Sequence, residues 1–343
     1  MSTTSKAAAS TDPQPTGESQ SVERRMKAPA WATALLTGSR GPALGLLVMC
    51  VVFFIATPFF LTQNNLLNIL DQTVILGLLA LGMTAVIVIG GIDLSVGAVL
   101  ALATMTLGWL SHDFGWPLWL SAVTAIGVAG VCGVANGLGI TLAKLPPFIA
   151  TLAMMSIARG LANLITDGQQ IVGYPGWFGN LSTTRYLGFF TMTALVLVAL
   201  YAAGWAYMRY RVGGRELYAI GGSSEVARLA GVSVRKKTVL VYTVAGLLSG
   251  VAGVFLAMRL DSSQPSAGLG LELDAIAAVV IGGASLKGGV GSVTGTVFGV
   301  LIIGVLRNGL NLLGVSPFVQ QVVIGVVIAL AVMLDVLRRR KAH

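Results

Sequence analysis

LNILDQTVILGLLALGMTAVIVIGGIDLSVGAVLALATMTLGWL, residues 67–110, carries a single charge beyond Asp71, the carboxylate of Asp93. The run 67–90 is long enough to cross a bilayer core, which takes about 20 apolar residues. The run 94–110 is short. Between them stand Gly90, Gly91, Asp93 and Ser95, residue types that interrupt a helix.

The same alternation fills the chain. Apolar segments lie near 43–61, 67–90, 94–110, 118–141, 147–166, 188–208, 238–259, 273–284, 290–309 and 318–337. The segment 273–284 would make only ~18 Å of helix, so a half-helix or re-entrant segment is expected there. Hydrophobic residues are 55% and charged residues 10%, against about 25% charge in soluble domains; mean hydropathy is +0.84. The expected fold is an all-α polytopic membrane protein with about ten transmembrane segments, including short or broken helices. A soluble-domain count does not apply to one bundle of spans.

Glycine is 44 of 343 residues. Much of it falls four apart inside the runs, as in Gly133-x-x-x-Gly137, Gly246-x-x-x-Gly250 and Gly291-x-x-x-Gly295-x-x-x-Gly299, a pattern that lets helix backbones approach. Cys50 and Cys132 have no metal-ligand spacing and no disulfide role; no metal site is expected.

The net charge is +9, and its placement gives the orientation. With the N-terminus inside, 18 of the 22 Lys and Arg fall on inner segments, a positive-inside bias. Both termini are then cytoplasmic, and the charge needs no nucleic acid. Residues 1–40 read as a disordered cytoplasmic tail, 41–337 as the transmembrane domain with a cytoplasmic loop at 209–237, and 338–343 as a basic cytoplasmic end. The first apolar run starts near residue 42, too late for a cleaved signal peptide. The outer loop 167–187 holds Tyr174, Trp177 and Tyr186, which suit a membrane interface.

Within the cytoplasmic loop, Gly221 and Gly222 stop any preceding helix. Ser223 or Ser224 can cap a new one, Glu225 suits its first turn, and Gly231 ends it. Val226, Leu229 and Ala230 share a face, with Ala227 expected on the docking side; Arg228 adds charge. So short a helix is unstable alone in water. It docks either on membrane lipid or in another protein's groove.

Asp93 is expected to cap the segment after it; a gate role and a proton-coupling role are the alternatives. VIGGASL at 280–286 echoes VIGGIDL at 88–94, making Gly282 and Gly283 a second break candidate. Both breaks fall on the inner side, unlike a simple inverted repeat. Asn136 and Asn163 would suit a sugar path; interhelical hydrogen bonding is the other reading for them, as for Arg159, Arg307, Asn308 and Asn311.

Four stretches, GGIDLSVGAVLAL (90–102), GGRELYAIGGSSEVARLAGVSV (213–234), VIGGASLKGGVGSVTGTVFG (280–299) and QVVIGVVIALAVMLD (321–335), carry a resemblance. The chain resembles the permease subunit of ribose-type ATP-binding-cassette importers, within the branched-chain amino acid/ribose permease superfamily. The resemblance implies a subunit of the bacterial cytoplasmic (inner) membrane that moves a ribose-like pentose or related small sugar inward. It implies a second permease copy or paralogue, an extracytoplasmic solute-binding protein, and an ATP-binding-cassette ATPase subunit. ATP and Mg would sit on that ATPase, with no cofactor on this chain. It also makes 223–231 the coupling helix that enters a cleft of the ATPase. The residues agree on one point: no G-x-x-x-x-G-K-[ST] phosphate loop is present, so the chain is read as a transport subunit and not as an enzyme. The alternative is an ion-coupled secondary transporter, for which Asp93 is the candidate carboxylate.

Overall fold

The computed structural model describes residue 3, residues 40–186 and residues 188–340. The expected tail, apart from Thr3 and Arg40, lies outside the described residues, as do 341–343 of the basic end.

Each of the ten expected segments coincides with a helix. In chain order these are α1 (Arg40–Ala56), α2 (Gln63–Val88), α3 (Val96–His112), α4 (Leu118–Thr141) and α5 (Pro147–Leu164), then α7 (Met192–Tyr210), α10 (Val234–Leu260), α11 (Leu271–Ile281), α12 (Val293–Leu312) and α13 (Pro317–Arg340). Among the described residues, α2, α4, α5, α7, α10 and α12 are long and apolar enough to cross a membrane. At 11 residues, α11 reaches only ~17 Å.

The loops expected on the outer side, 167–187 and 260–272, and the residues just after the first depart from the all-α expectation. They hold α6 (Gly176–Thr183) and four two-residue strands: β1 (Ile171–Val172), β2 (Arg185–Tyr186), β3 (Phe190–Thr191) and β4 (Ser262–Ser263). β1 pairs antiparallel with β4, and β2 with β3, so the two long outer loops are stitched to each other. Tyr174 donates to Ser263 Oγ at 2.6 Å, and Ser263 donates to the Thr104 carbonyl of α3 at 2.6 Å. Burial pushes the Tyr174 hydroxyl up to about 12, so it keeps its proton and this chain of bonds at any physiological pH.

Lipid tails are as apolar as leucine, so helices in a membrane associate through close packing and hydrogen bonds. Both are visible here. α2 runs through the centre, packed by α7, α10, α11 and α12. Along α4 and α10 the glycines interlock: a methyl group on Gly137 would lie 2.6 Å from Val239 Cα, and one on Gly250 2.8 Å from Ile126 Cα. Gly295 and Gly299 of α12 abut the carbonyls of Gly282 and Ala278 of α11 in the same way. Thr84 and Thr296 share a hydrogen bond at 2.7 Å.

Asn65 of α2 and Asn308 of α12 exchange two bonds, 2.9 and 2.8 Å, between buried amides. Asn308→Leu leaves the Asn65 amide without this partner. It is expected to cost about 1–2 kcal/mol, read as a lowered melting temperature of the detergent-solubilised protein.

Two acids of the bundle are held in ion pairs. Asp71 binds Arg185 at 2.6 Å, and Asp274 binds Arg307. Arg159 donates to the carbonyl of Ala267 at 2.8 Å, bracing the second outer loop.

Candidate coupling site

The basic loop 209–237 folds into two short helices. The first, α8 (Val212–Gly222), is invisible in the loop's polarity, yet it buries Leu217 and Ile220 against the bundle. Tyr218 donates to the Gly291 carbonyl at 2.9 Å, and Glu216 pairs with Lys237 of α10 at 2.6 Å. Thus α8 is anchored at both flanks.

The second, α9 (Ser224–Leu229), begins where the sequence predicts. Ser223 is the cap, its Oγ accepting from Val226 N–H at 3.3 Å, and Glu225 stands in the first turn. At the far end Val232 N–H donates to the Ala227 carbonyl and Gly231 N–H to Arg228, each at 3.0 Å. With Gly231 at φ +85°, this is a Schellman stop. A six-residue helix is fixed at both ends by its own residues.

What it presents is narrower than its sequence suggests. Val226 is 65% exposed and Leu229 78%; Ser224, Glu225, Arg228 and Ala230 are exposed too. Ala227, expected on the docking side, is 2% exposed and faces the chain's own interior. The three apolar residues of α9, Val226, Ala227 and Leu229, are small or branched, so periodicity gives the face without saying which edge turns inward. An acid at 227 therefore tests folding, and the docking test moves to Leu229.

The root of α9 lies on both helix breaks. Gly289 N–H donates to the Val88 carbonyl at the end of α2 at 2.9 Å. A methyl group on Gly288 would lie 2.8 Å from Gly90 N and 2.9 Å from the Gly221 carbonyl; one on Gly221 would overlap the Val88 carbonyl. Gly90 and Gly288, at φ +81° and +86°, adopt a backbone that L side chains resist. Three glycine pairs, 90–91, 221–222 and 288–289, thus converge where two breaks meet the junction of α8 and α9. The echo of VIGGIDL in VIGGASL had pointed to Gly282 and Gly283. Those two end α11, Gly282 packs on Gly295, and the contact with the first break is made further on, by Gly288 and Gly289.

Asp93 is 2% exposed. Its Oδ1 accepts from Ser95 N–H at 2.9 Å and Ser95 Oγ at 2.6 Å, and Asn136 donates to Ser95 Oγ at 2.9 Å. The cap position of α3 is Ser95, not Asp93. The carboxylate closes a turn before the helix, and Ser95, at the cap position, makes no side-chain capping bond. Asn136 is buried in this chain, at the inner end of α4. Asn163 lies exposed near the outer end of α5, its amide donating to the Arg159 carbonyl at 2.8 Å; the two are not brought together.

Residues 65–332 match the family model described as branched-chain amino acid transport system / permease component. The chain is 47% identical over 86% of its length to the ribose import permease protein of Bacillus subtilis, covering 92% of that protein. It is 37% identical to the fructose import permease protein of Rhizobium meliloti, over 80% of this chain and 79% of the relative. It is also 37% identical to the L-arabinose transport system permease protein of Escherichia coli, over 85% and 89%. No solved structure matches the chain.

Proposed function

The chain belongs to the branched-chain amino acid transport system / permease component family, and from that premise we propose that it is the membrane-spanning subunit of an ATP-driven importer of a small sugar. The solute is ribose or a closely related pentose, as the names of the relatives suggest. The bundle lies in the bacterial cytoplasmic membrane, with ten crossing or partly crossing segments, α11 re-entrant and both termini inside. ATP, with Mg, is hydrolysed on a separate ATPase that receives Val226 and Leu229. A second permease copy or paralogue and an extracytoplasmic solute-binding protein complete the assembly.

The observation that carries this reading is the pairing of an exposed apolar knob with a backbone junction. Leu229 stands on a rigidly capped helix, and the glycines just before that helix, Gly221 and Gly222, touch both breaks of the bundle. A pull on the knob reaches the end of α2 and the turn before α12 through peptide groups, with no flexible side chain between. Alternating access of this kind needs such an element with two arrangements. Asn163 is our candidate for the solute path, being an exposed amide on a spanning helix; Asn136 supports the break, and Asp93, Gly90 and Gly91 are its gate.

The test is extraction of the protein from its native membrane in mild detergent, with co-purifying chains identified by mass spectrometry. A P-loop ATPase and a solute-binding protein are the expected companions. Recovery of the chain alone in repeated gentle extractions would sink the reading and turn attention to ion coupling through Asp93.

A further inference from the structure

On the lipid-facing side, α7 stands away from the bundle. Between it, α2 and α12 lies a cleft of about 1120 Å³, counting its open side. Val74 and Gly77 form its floor, Val198, Tyr201 and Trp205 one wall, and Val297 the other. Its lining runs along α7 from Phe190 to Trp205. The helical part of that stretch is about 20 Å long at 1.5 Å per residue, over half of the ~30 Å hydrocarbon core. At its floor α7 is tied to α2: Leu197 packs where a Gly77 side chain would stand, 3.1 Å from a methyl group placed there, and Tyr201 donates to the Gly77 carbonyl at 2.9 Å.

Water has almost no partners in so apolar a space. A trough facing hydrocarbon is filled by what surrounds it, and that is an acyl chain. The inner mouth adds a charge preference. Along α7 the cleft stripe Val198, Tyr201, Trp205 continues at the same spacing to Arg209, and Arg211 follows at the start of α8. Both arginines are exposed, and neither is in an ion pair among the described residues. Glu216, the nearest acid along the chain, is held by Lys237. Trp205 and Tyr210 stack edge to face at 5.5 Å, an aromatic pair at the headgroup level.

We propose that an anionic phospholipid of the cytoplasmic leaflet occupies this cleft, one acyl chain between α7, α2 and α12 and its phosphate against Arg209 and Arg211. The lipid wedges α7 at the point where α7 passes directly into α8, and so sets the stance of the coupling arm. The proposal needs the inner end of α7 to face the cytoplasm and does not depend on which solute is carried.

The full-length protein, with whatever subunits accompany it, is placed in nanodiscs of phosphatidylcholine with or without phosphatidylglycerol, and retained lipid is read by native mass spectrometry. Phosphatidylglycerol is expected to be held in preference, by roughly fivefold per arginine. The double variant Arg209→Gln, Arg211→Gln keeps a bound lipid but loses the preference. Val198→Trp fills the cleft and displaces the lipid; Val198 is 58% exposed, so the fold tolerates it. A lipid-free protein, or one whose lipid is indifferent to headgroup charge and to both variants, overturns the proposal. So does cross-linking from a cysteine placed at position 198 to a second copy or to the chain's own N-terminal residues.

Discussion

Leu229→Asp leaves the protein folded and weakens its hold on the ATPase by about 30-fold or more, the scale of an interface hot spot of at least ~2 kcal/mol. Leu229 is 78% exposed and supports nothing in its own chain, so the acid costs little until docking, when a carboxylate must enter an apolar cleft unpaired. Val226→Asp follows the same logic with a smaller face. Ala227→Asp behaves differently. Its side chain is buried within the chain, so the protein itself is expected to lose stability. The measurement is co-purification of the ATPase with each variant, alongside thermal melting of the permease. If Leu229→Asp retained the ATPase at the wild-type ratio, the assignment of α9 as the coupling helix would fall.

Gly221→Ala is the second large effect. A single methyl group there overlaps the Val88 carbonyl and crowds Gly289 N. These are backbone atoms, and no rotamer change relieves them; overpacking of this sort costs about 1–3 kcal/mol or more. The junction can open only by moving α9 away from the two breaks. ATP-driven uptake should drop by an order of magnitude or more, since that energy is about one to two decades in an equilibrium. The ATPase should still bind, because Val226 and Leu229 are untouched. Gly222→Ala is the control: its methyl group meets no atom within 4 Å, and uptake should stay near wild type. Equal uptake by the two variants would remove the junction from the mechanism.

Hydropathy made the apolar helices readable, and six of them have the length a bilayer core asks for. The ends of α9 were readable for a local reason: a serine cap and a left-handed glycine act within four residues. Relations across the bundle were not. Asp71 and Arg185 are 114 residues apart, and Asp274 and Arg307 33; nothing in the spacing of either pair announces the other. The meeting of Gly90, Gly221 and Gly288 is legible only as three glycine-rich strings, since a glycine's purpose lies in what stands opposite it. The helix α8 escaped notice because its burial rests on Leu217 and Ile220 alone among polar neighbours. Asp93 was placed in the right break with the wrong duty: its carboxylate turns to Ser95, two residues on, a local choice that residue type alone does not settle.

The Asp274–Arg307 pair bears on how the chain is made. α11 has 11 residues and carries Glu272 and Asp274 in its first turn, so on emerging from the ribosome it is too short and too acidic to enter the bilayer unaided. Its counter-ion belongs to α12 and is synthesised 33 residues later. Until α12 has been made, Asp274 lacks the guanidinium that pairs with it in the folded chain, so this acid is neutralised only after both helices have been synthesised.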